Sequence, residues 1–327
     1  MIYFNSDYLE GAHPAVMARL METNMVQTVG YGEDEYCETA REKIKLACQA
    51  PEADVHFLVG GTQTNTTVIA AILRPWQGVL SAVSGHINCH EAGAIESTGH
   101  KVITLPTNNG KITAQQVRDY VEWHKNDEST EHIVQPGMVY ISHPTEGGTL
   151  YSKAELTALY DTCKQYGLPL FIDGARLGYG LVADGSDITL PELARLCDVF
   201  YIGGTKVGAL FGEAVVIMNE ALKKDFRFIM KQRGGRLAKG RLLGIQFDAL
   251  FTDDLYLTIS RHAIDMAYQI REIFVSAGYP LLFDSPTNQQ YPIMPDDELA
   301  EIGKNFGYEY WERTDPTHSG VRFCASW

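Results

Sequence analysis

Residues 169–206, PLFIDGARLGYGLVADGSDITLPELARLCDVFYIGGTK, decide how this chain reads. Two short apolar runs, 169–172 and 199–202, stop at Asp173-Gly174 and at Gly203-Gly204-Thr205-Lys206. Short apolar runs bounded by glycine mark strands buried on both faces. Asp173 therefore ends a buried strand, a costly place for a carboxylate unless something pairs with it. Its plainer role would be to cap the next turn. Lys206 follows the second strand behind two glycines, which sets it toward a cleft. The ordinary alternative is a lysine that keeps its ammonium in water.

Outward from that stretch, strands and helices alternate. Strands are expected at 55–59, 79–82, 101–105, 138–142 and 214–218, and helices at 33–49, 66–73, 87–98, 113–124, 153–166 and 190–195. This alternation implies an α/β fold with a mostly parallel sheet covered on both faces. Such sheets bind ligands at the carboxyl ends of their strands. After Lys239 the pattern changes. Residues 241–277 read as one or two long helices, and 278–327 carry strand, helix and strand cues at 279–283, 297–306 and 320–325. The expected division is a large domain at 1–245 and a smaller C-terminal α+β domain at 246–327.

Composition narrows the function classes. Hydrophobic residues are 45% and charged residues 21% of the 327, ordinary for a folded chain. The net charge of −14 argues against nucleic acid or an anionic membrane surface as partner. The six cysteines, Cys37, Cys48, Cys89, Cys163, Cys197 and Cys324, form no CxxC, so no metal site is expected. The start, MIYFNSDYLEGAHP, lacks the pattern of a signal peptide, and no run approaches the roughly 20 apolar residues of a membrane span. The expected location is cytoplasmic.

Three strand ends carry the chemistry. Gly60-Gly61-Thr62-Gln63-Thr64-Asn65 lets a backbone approach a ligand closely and opens a helix with free N–H groups, which makes either a phosphate cradle or a plain turn. A pyridinium nitrogen is a fitting partner for Asp173, which would keep it protonated and the ring an electron sink. Lys206 has the placement of a Schiff-base lysine. Phosphate loop, acid and lysine, the last two 33 positions apart, form a specific constellation.

Over nearly its whole length the sequence resembles the low-specificity L-threonine aldolases, in the aldolase and β-eliminating-lyase group of fold-type-I pyridoxal-phosphate enzymes. The segments that carry the likeness are FNSDYLEGAHPAVM (4–17), YGEDEYCETAREKI (31–44), GGTQTN (60–65), SGHINCHEAGAIESTGH (84–100), FIDGAR (171–176) and GGTKVGA (203–209). The resemblance implies pyridoxal 5'-phosphate held by Lys206, its ring nitrogen on Asp173, its ring under His86, which is also a candidate proton-transfer group, and its phosphate on Gly61 and Thr62. It implies Arg176, Arg322 and Ser6 as receptors of a substrate carboxylate, and Glu91 as a further acid-base candidate, although a helix-face glutamate is usually solvated. Where the family has a histidine after a threonine, 142–148 reads SHPTEGG and Glu146 stands instead. One cation of KQRGGRLAKGR (231–241) would reach a neighbouring subunit's phosphate. The expected reaction is retro-aldol cleavage of L-threonine or L-allo-threonine to glycine and an aldehyde, in a homodimer or homotetramer. Elimination or transamination on the same scaffold, and a non-catalytic binding protein, are the alternatives.

Overall fold

The computed structural model describes residues 1–327. Its central sheet has seven strands: β1 (Asp54–Leu58), β2 (Gln77–Ala82), β3 (Lys101–Leu105), β4 (Gln135–Ser142), β5 (Leu170–Asp173), β6 (Val199–Gly203) and β7 (Glu213–Ile217). They lie in the order β1-β7-β6-β5-β4-β2-β3. All neighbouring pairs run parallel except those of β7, which is antiparallel to both β1 and β6. Alternate residues feed two apolar clusters, one on each face. Ile141, Ile172 and Ile202 join the larger cluster, and Tyr140, Phe171 and Tyr201 the other. This two-sided burial is why the strands read as continuous apolar runs.

The helices between strands begin and end on recognisable signals. Lys153–Tyr166 opens with a capping box of Ser152 and Glu155 and stops at Gly167 in the left-handed conformation. The helix expected at 33–49 runs Glu35–Ala47, with the Asp34 side chain accepting from the Cys37 N–H. The helix expected over 87–98 is broken. It survives as one turn, His86–Cys89, and a 3-10 turn, Glu96–Thr98, because Ala92 and Gly93 adopt positive φ between them. That break turns Glu91 into the interior, where it is 5% exposed.

The C-terminal part builds a small antiparallel sheet from β8 (Gln289–Gln290), β9 (Ile293–Pro295), β10 (Glu309–Arg313) and β11 (His318–Cys324). The strand expected at 279–283 is reduced to a single bridge, Leu281 to Pro292. Residue 245 lies inside the helix Arg241–Leu250, whose Leu243, Phe247 and Leu250 pack into the larger apolar cluster of the central sheet. The N-terminus pairs with the small sheet's side of the molecule, Ile2–Tyr3 running parallel to Phe306–Gly307. No helix is long and apolar enough to cross a membrane.

Candidate active site

The carboxyl ends of β4, β5 and β6 meet at a cavity of about 320 Å³, within the range of small-molecule sites. It gathers Gly61, Thr62, His86, Asp173, Arg176 and Lys206, together with Glu146 and Glu213. The floor depends on two close backbone approaches. A Cβ on Gly174 would stand 2.0 Å from the Tyr201 carbonyl oxygen, and one on Gly203 would stand 2.2 Å from that of Ala175. Glycine at both positions lets the turn after β5 cross the turn after β6, which brings Asp173 and Lys206 into one cavity.

Asp173 is enclosed by donors. Tyr201 Oη (2.5 Å) and the Ala175 N–H (3.0 Å) donate to Oδ1. Tyr140 Oη (2.6 Å) and Asn65 Nδ2 (3.0 Å) donate to Oδ2. Burial alone would raise this carboxyl's pKa, but His86, the two phenols and the Ala175 N–H outweigh it and hold the pKa below the ordinary value. Asp173 is thus a fixed anion.

Lys206 Nζ makes no hydrogen bond and is not sealed off from the cavity, and the Tyr179 hydroxyl donates to the Lys206 carbonyl. Burial, and then the charge of Arg176, lower its pKa, which favours a neutral, nucleophilic amine. Behind it, Glu213 accepts from the Gly204 N–H (3.0 Å) and Thr205 Oγ1 (2.8 Å), and burial raises the pKa of its carboxyl.

The N–H groups of Gly61, Thr62 and Gln63 open the helix Gly61–Ile72 and find no protein acceptor. A Cβ on Gly60 would meet nothing within 4 Å. Free N–H groups at the positive end of a helix dipole, on an open glycine turn, suit a phosphate. His86 lies on the wall with Nδ1 2.8 Å from Glu91 Oε1, which also accepts from Asn65 Nδ2 (2.7 Å). Burial opposes the imidazolium, but that hydrogen bond and the charges of Asp173 and Glu91 raise the pKa of His86. Free N–H groups on a glycine turn, an imidazole on the wall, a donor-locked anion and a half-buried amine together fit pyridoxal phosphate.

Arg176 lines the cavity, but Asp7 already occupies its fork: Nε to Oδ2 is 2.7 Å and Nη2 to Oδ1 is 2.9 Å. Burial would raise the pKa of Asp7, yet Arg176, Lys206 and Asn288 hold it far below the ordinary value. Only Nη1 of Arg176 stays uncommitted. Ser6 and Arg322 do not belong to the cavity lining. Arg322 donates to Gln289 Oε1 (2.9 Å), the Asn5 carbonyl (3.1 Å) and Glu309, while its Nε and the neighbouring Ser6 Oγ are buried without partners. In the basic segment, Arg236 pairs with Glu33 and Arg241 donates to the carbonyls of Thr23 and Val26. Sequence reasoning did not find Asn65, Tyr140 or Tyr201 as partners of Asp173, nor Asp7 as partner of Arg176.

Comparison with known proteins agrees with this geometry. The family model described as beta-eliminating lyase matches residues 4–282. The low specificity L-threonine aldolase of Pseudomonas aeruginosa is 29% identical over 327 residues, covering 99% of this chain and 92% of that one. That of Saccharomyces cerevisiae is 26% identical, covering 83% and 69%. The structure of Leishmania major threonine aldolase superposes with a TM-score of 0.97 at 42% identity, covering 100% of this chain and 94% of that one. An aspartate aminotransferase double mutant from Thermus thermophilus, at 13% identity and a TM-score of 0.71, shares the fold, which is that of the fold-type-I pyridoxal-phosphate enzymes. With its sequence matched from residue 4 to 282, the chain belongs to the beta-eliminating lyase family.

Proposed function

We propose that this chain cleaves L-threonine or L-allo-threonine by a retro-aldol reaction, releasing glycine and acetaldehyde. It is a pyridoxal-phosphate-dependent lyase. The carrying observation is the half-buried, unpaired amine of Lys206 in one cavity with the donor-locked carboxylate of Asp173. The 42% identity to the Leishmania major threonine aldolase over the whole chain supports the choice of reaction. When bound, the cofactor supplies an electron sink for the pair left on Cα as the Cα–Cβ bond breaks.

The chain's own groups do the rest. Lys206 would hold the cofactor through Nζ, Asp173 would keep its ring nitrogen protonated, and His86 would cover one face of the ring. Gly61 and Thr62 would hold the phosphate through N–H and hydroxyl. Arg322 and Ser6, each with a buried polar atom lacking a partner, would receive the substrate carboxylate from the small-domain side, and Arg176 would add Nη1. Closing that side on the substrate excludes water and fixes its orientation.

A homodimer or homotetramer is the assembly we propose, in the cytoplasm. Met17 and Met21 lie exposed one turn apart on the helix Pro14–Thr23, and Met25, Val26 and Val29 follow them on the surface. Contiguous exposed apolar residues of this kind suit a subunit contact, and sedimentation of the purified protein tests it.

The absorbance spectrum tests the function. An absorbance band of lysine-bound cofactor, absent from Lys206→Ala, and acetaldehyde formed on adding L-threonine are the expected results. Such a band with pyruvate or a keto acid in place of acetaldehyde would move the reaction to elimination or transamination.

A further inference from the structure

Retro-aldol cleavage needs a group that removes the β-hydroxyl proton, and three carboxylates line the cavity: Asp173, Glu213 and Glu146. Asp173 accepts from four donors. Glu213 has one donor on each oxygen, from Gly204 and Thr205. Glu146 differs. Its Oε1 accepts from the His86 N–H (2.9 Å) and from Ser142 Oγ (2.6 Å), while Oε2 accepts nothing from the protein and is not sealed from the cavity. One oxygen is anchored and the other presented.

We propose that Glu146 is the catalytic base that takes the proton of the substrate's β-hydroxyl, at Oε2. This rests on the aldolase reading above. The O–H pair becomes the second bond of the aldehyde carbonyl, the Cα–Cβ bond breaks, and its pair stays with Cα until a proton from solvent replaces it. The proton on Glu146 returns to solvent, so none is gained or lost overall.

Two further observations agree. Burial is the main influence on the Glu146 carboxyl and raises its pKa; the Ser142 hydroxyl and the residue's own backbone N–H oppose it, Asp173 adds to it and His86 opposes it. A base whose pKa is lifted toward neutrality transfers protons more effectively near pH 7. His86 suits the task less, because its pKa is raised and its Nδ1 is committed to Glu91. The loop bearing Glu146 is also tied to the small domain. Tyr291 Oη (2.9 Å) and Gln289 Nε2 (3.3 Å) donate to the Glu146 carbonyl, and Gln289 Oε1 accepts from Arg322. The arm that receives the carboxylate and the loop that carries the base are thus joined through one glutamine.

Glu146→Gln keeps an acceptor for His86 and Ser142 and removes the base. Three readouts apply: acetaldehyde release from L-threonine, exchange of the glycine α-proton with D2O, and glycine affinity from the absorbance titration. The last two need no β-hydroxyl base. We expect cleavage to fall 100-fold or more, a usual share for general base catalysis, with exchange and affinity within about threefold of the parent, a small change in free energy. Cleavage retained within threefold overturns the proposal, and so does an equal loss in all three readouts, which would mean that Glu146 only positions His86. Glu146→Asp, which keeps a carboxylate, is expected to cleave at least tenfold faster than the Gln variant; equal rates overturn the proposal. If the parent releases no acetaldehyde from threonine, the aldolase reading falls and this inference with it, whereas the variant outcomes overturn the inference alone.

Discussion

The floor and the wall of the cavity each present a carboxylate, one buried and one half-buried, and the two are treated in opposite ways. On the floor, at the end of β5, Asp173 is ringed by two phenols, an amide and a backbone N–H, and its pKa is held low. On the wall, in the loop between β4 and the helix Lys153–Tyr166, Glu146 keeps one oxygen free and its pKa is raised. Burial acts on both in the same direction, so the charge of His86 and the larger set of donors around Asp173 decide the outcome. A carboxylate saturated with donors is a permanent charge. One left half-solvated by the cavity can exchange a proton.

The largest test of this contrast is Asp173→Ala. It strips four donors of their acceptor, and a buried donor left unpaired costs about 1–3 kcal/mol. The melting temperature should fall sharply and the cofactor band should weaken with it. Glu146→Gln, by comparison, should leave the melting temperature almost unchanged while cleavage is lost. Gly203→Ala comes next. Its Cβ would sit 2.2 Å from a backbone oxygen that cannot yield, and overpacking of this kind costs roughly 1–3 kcal/mol; denaturant unfolding measures it.

In the small domain, Arg322→Lys should raise the KM for threonine about tenfold, with a smaller change in kcat, because a lysine cannot reproduce a planar fork. Steady-state kinetics separate the two. The smallest expected effect belongs to Ser142→Ala. The Ser142 hydroxyl favours the ionised form of Glu146, so removing it lets the carboxyl's pKa rise further. A base must be ionised to act, so the parent's kcat/KM falls as pH drops through the raised pKa, and in Ser142→Ala that fall begins at a higher pH. The other titratable groups around Glu146 are Asp173 and His86 at the cavity, Tyr140 and Tyr151 on the large-domain side, and Tyr291 from the small domain. A profile that does not move would place the controlling ionisation on one of these.

Much of the floor was legible in the sequence, because there a run of apolar residues, a glycine turn and one polar side chain follow each other directly. FIDGAR and GGTK each hold their whole message in six residues or fewer. The partners of Asp173 were not legible. Tyr140 and Tyr201 read as apolar strand residues, and only the side-by-side order of β4, β5 and β6 turns both hydroxyls onto one carboxylate. The Asp7–Arg176 pair joins residues far apart in sequence and carries no local signature. Glu91 read as a solvated helix face because residues 87–98 are helical in composition; positive φ at Ala92 and Gly93 overrides it. The small domain was least legible, since its strands are short and β10 is largely exposed, which removes the apolar alternation that would mark it.

The crossing of the two turns at Gly174 and Gly203 has a consequence for descent as well as for folding. Backbone lies against backbone there, so no side chain of any kind can be admitted without moving both strands. Neutral drift on the floor is closed off, and with it any gradual change in how Asp173 and Lys206 are set relative to each other. The wall loop lines the cavity with Pro144 and Glu146, and the small domain reaches it only through that loop, by the Gln289 and Tyr291 side chains; side chains of this kind can be exchanged one at a time. New substrates, and new partitions between cleavage and other outcomes, therefore have to enter this lineage from the wall.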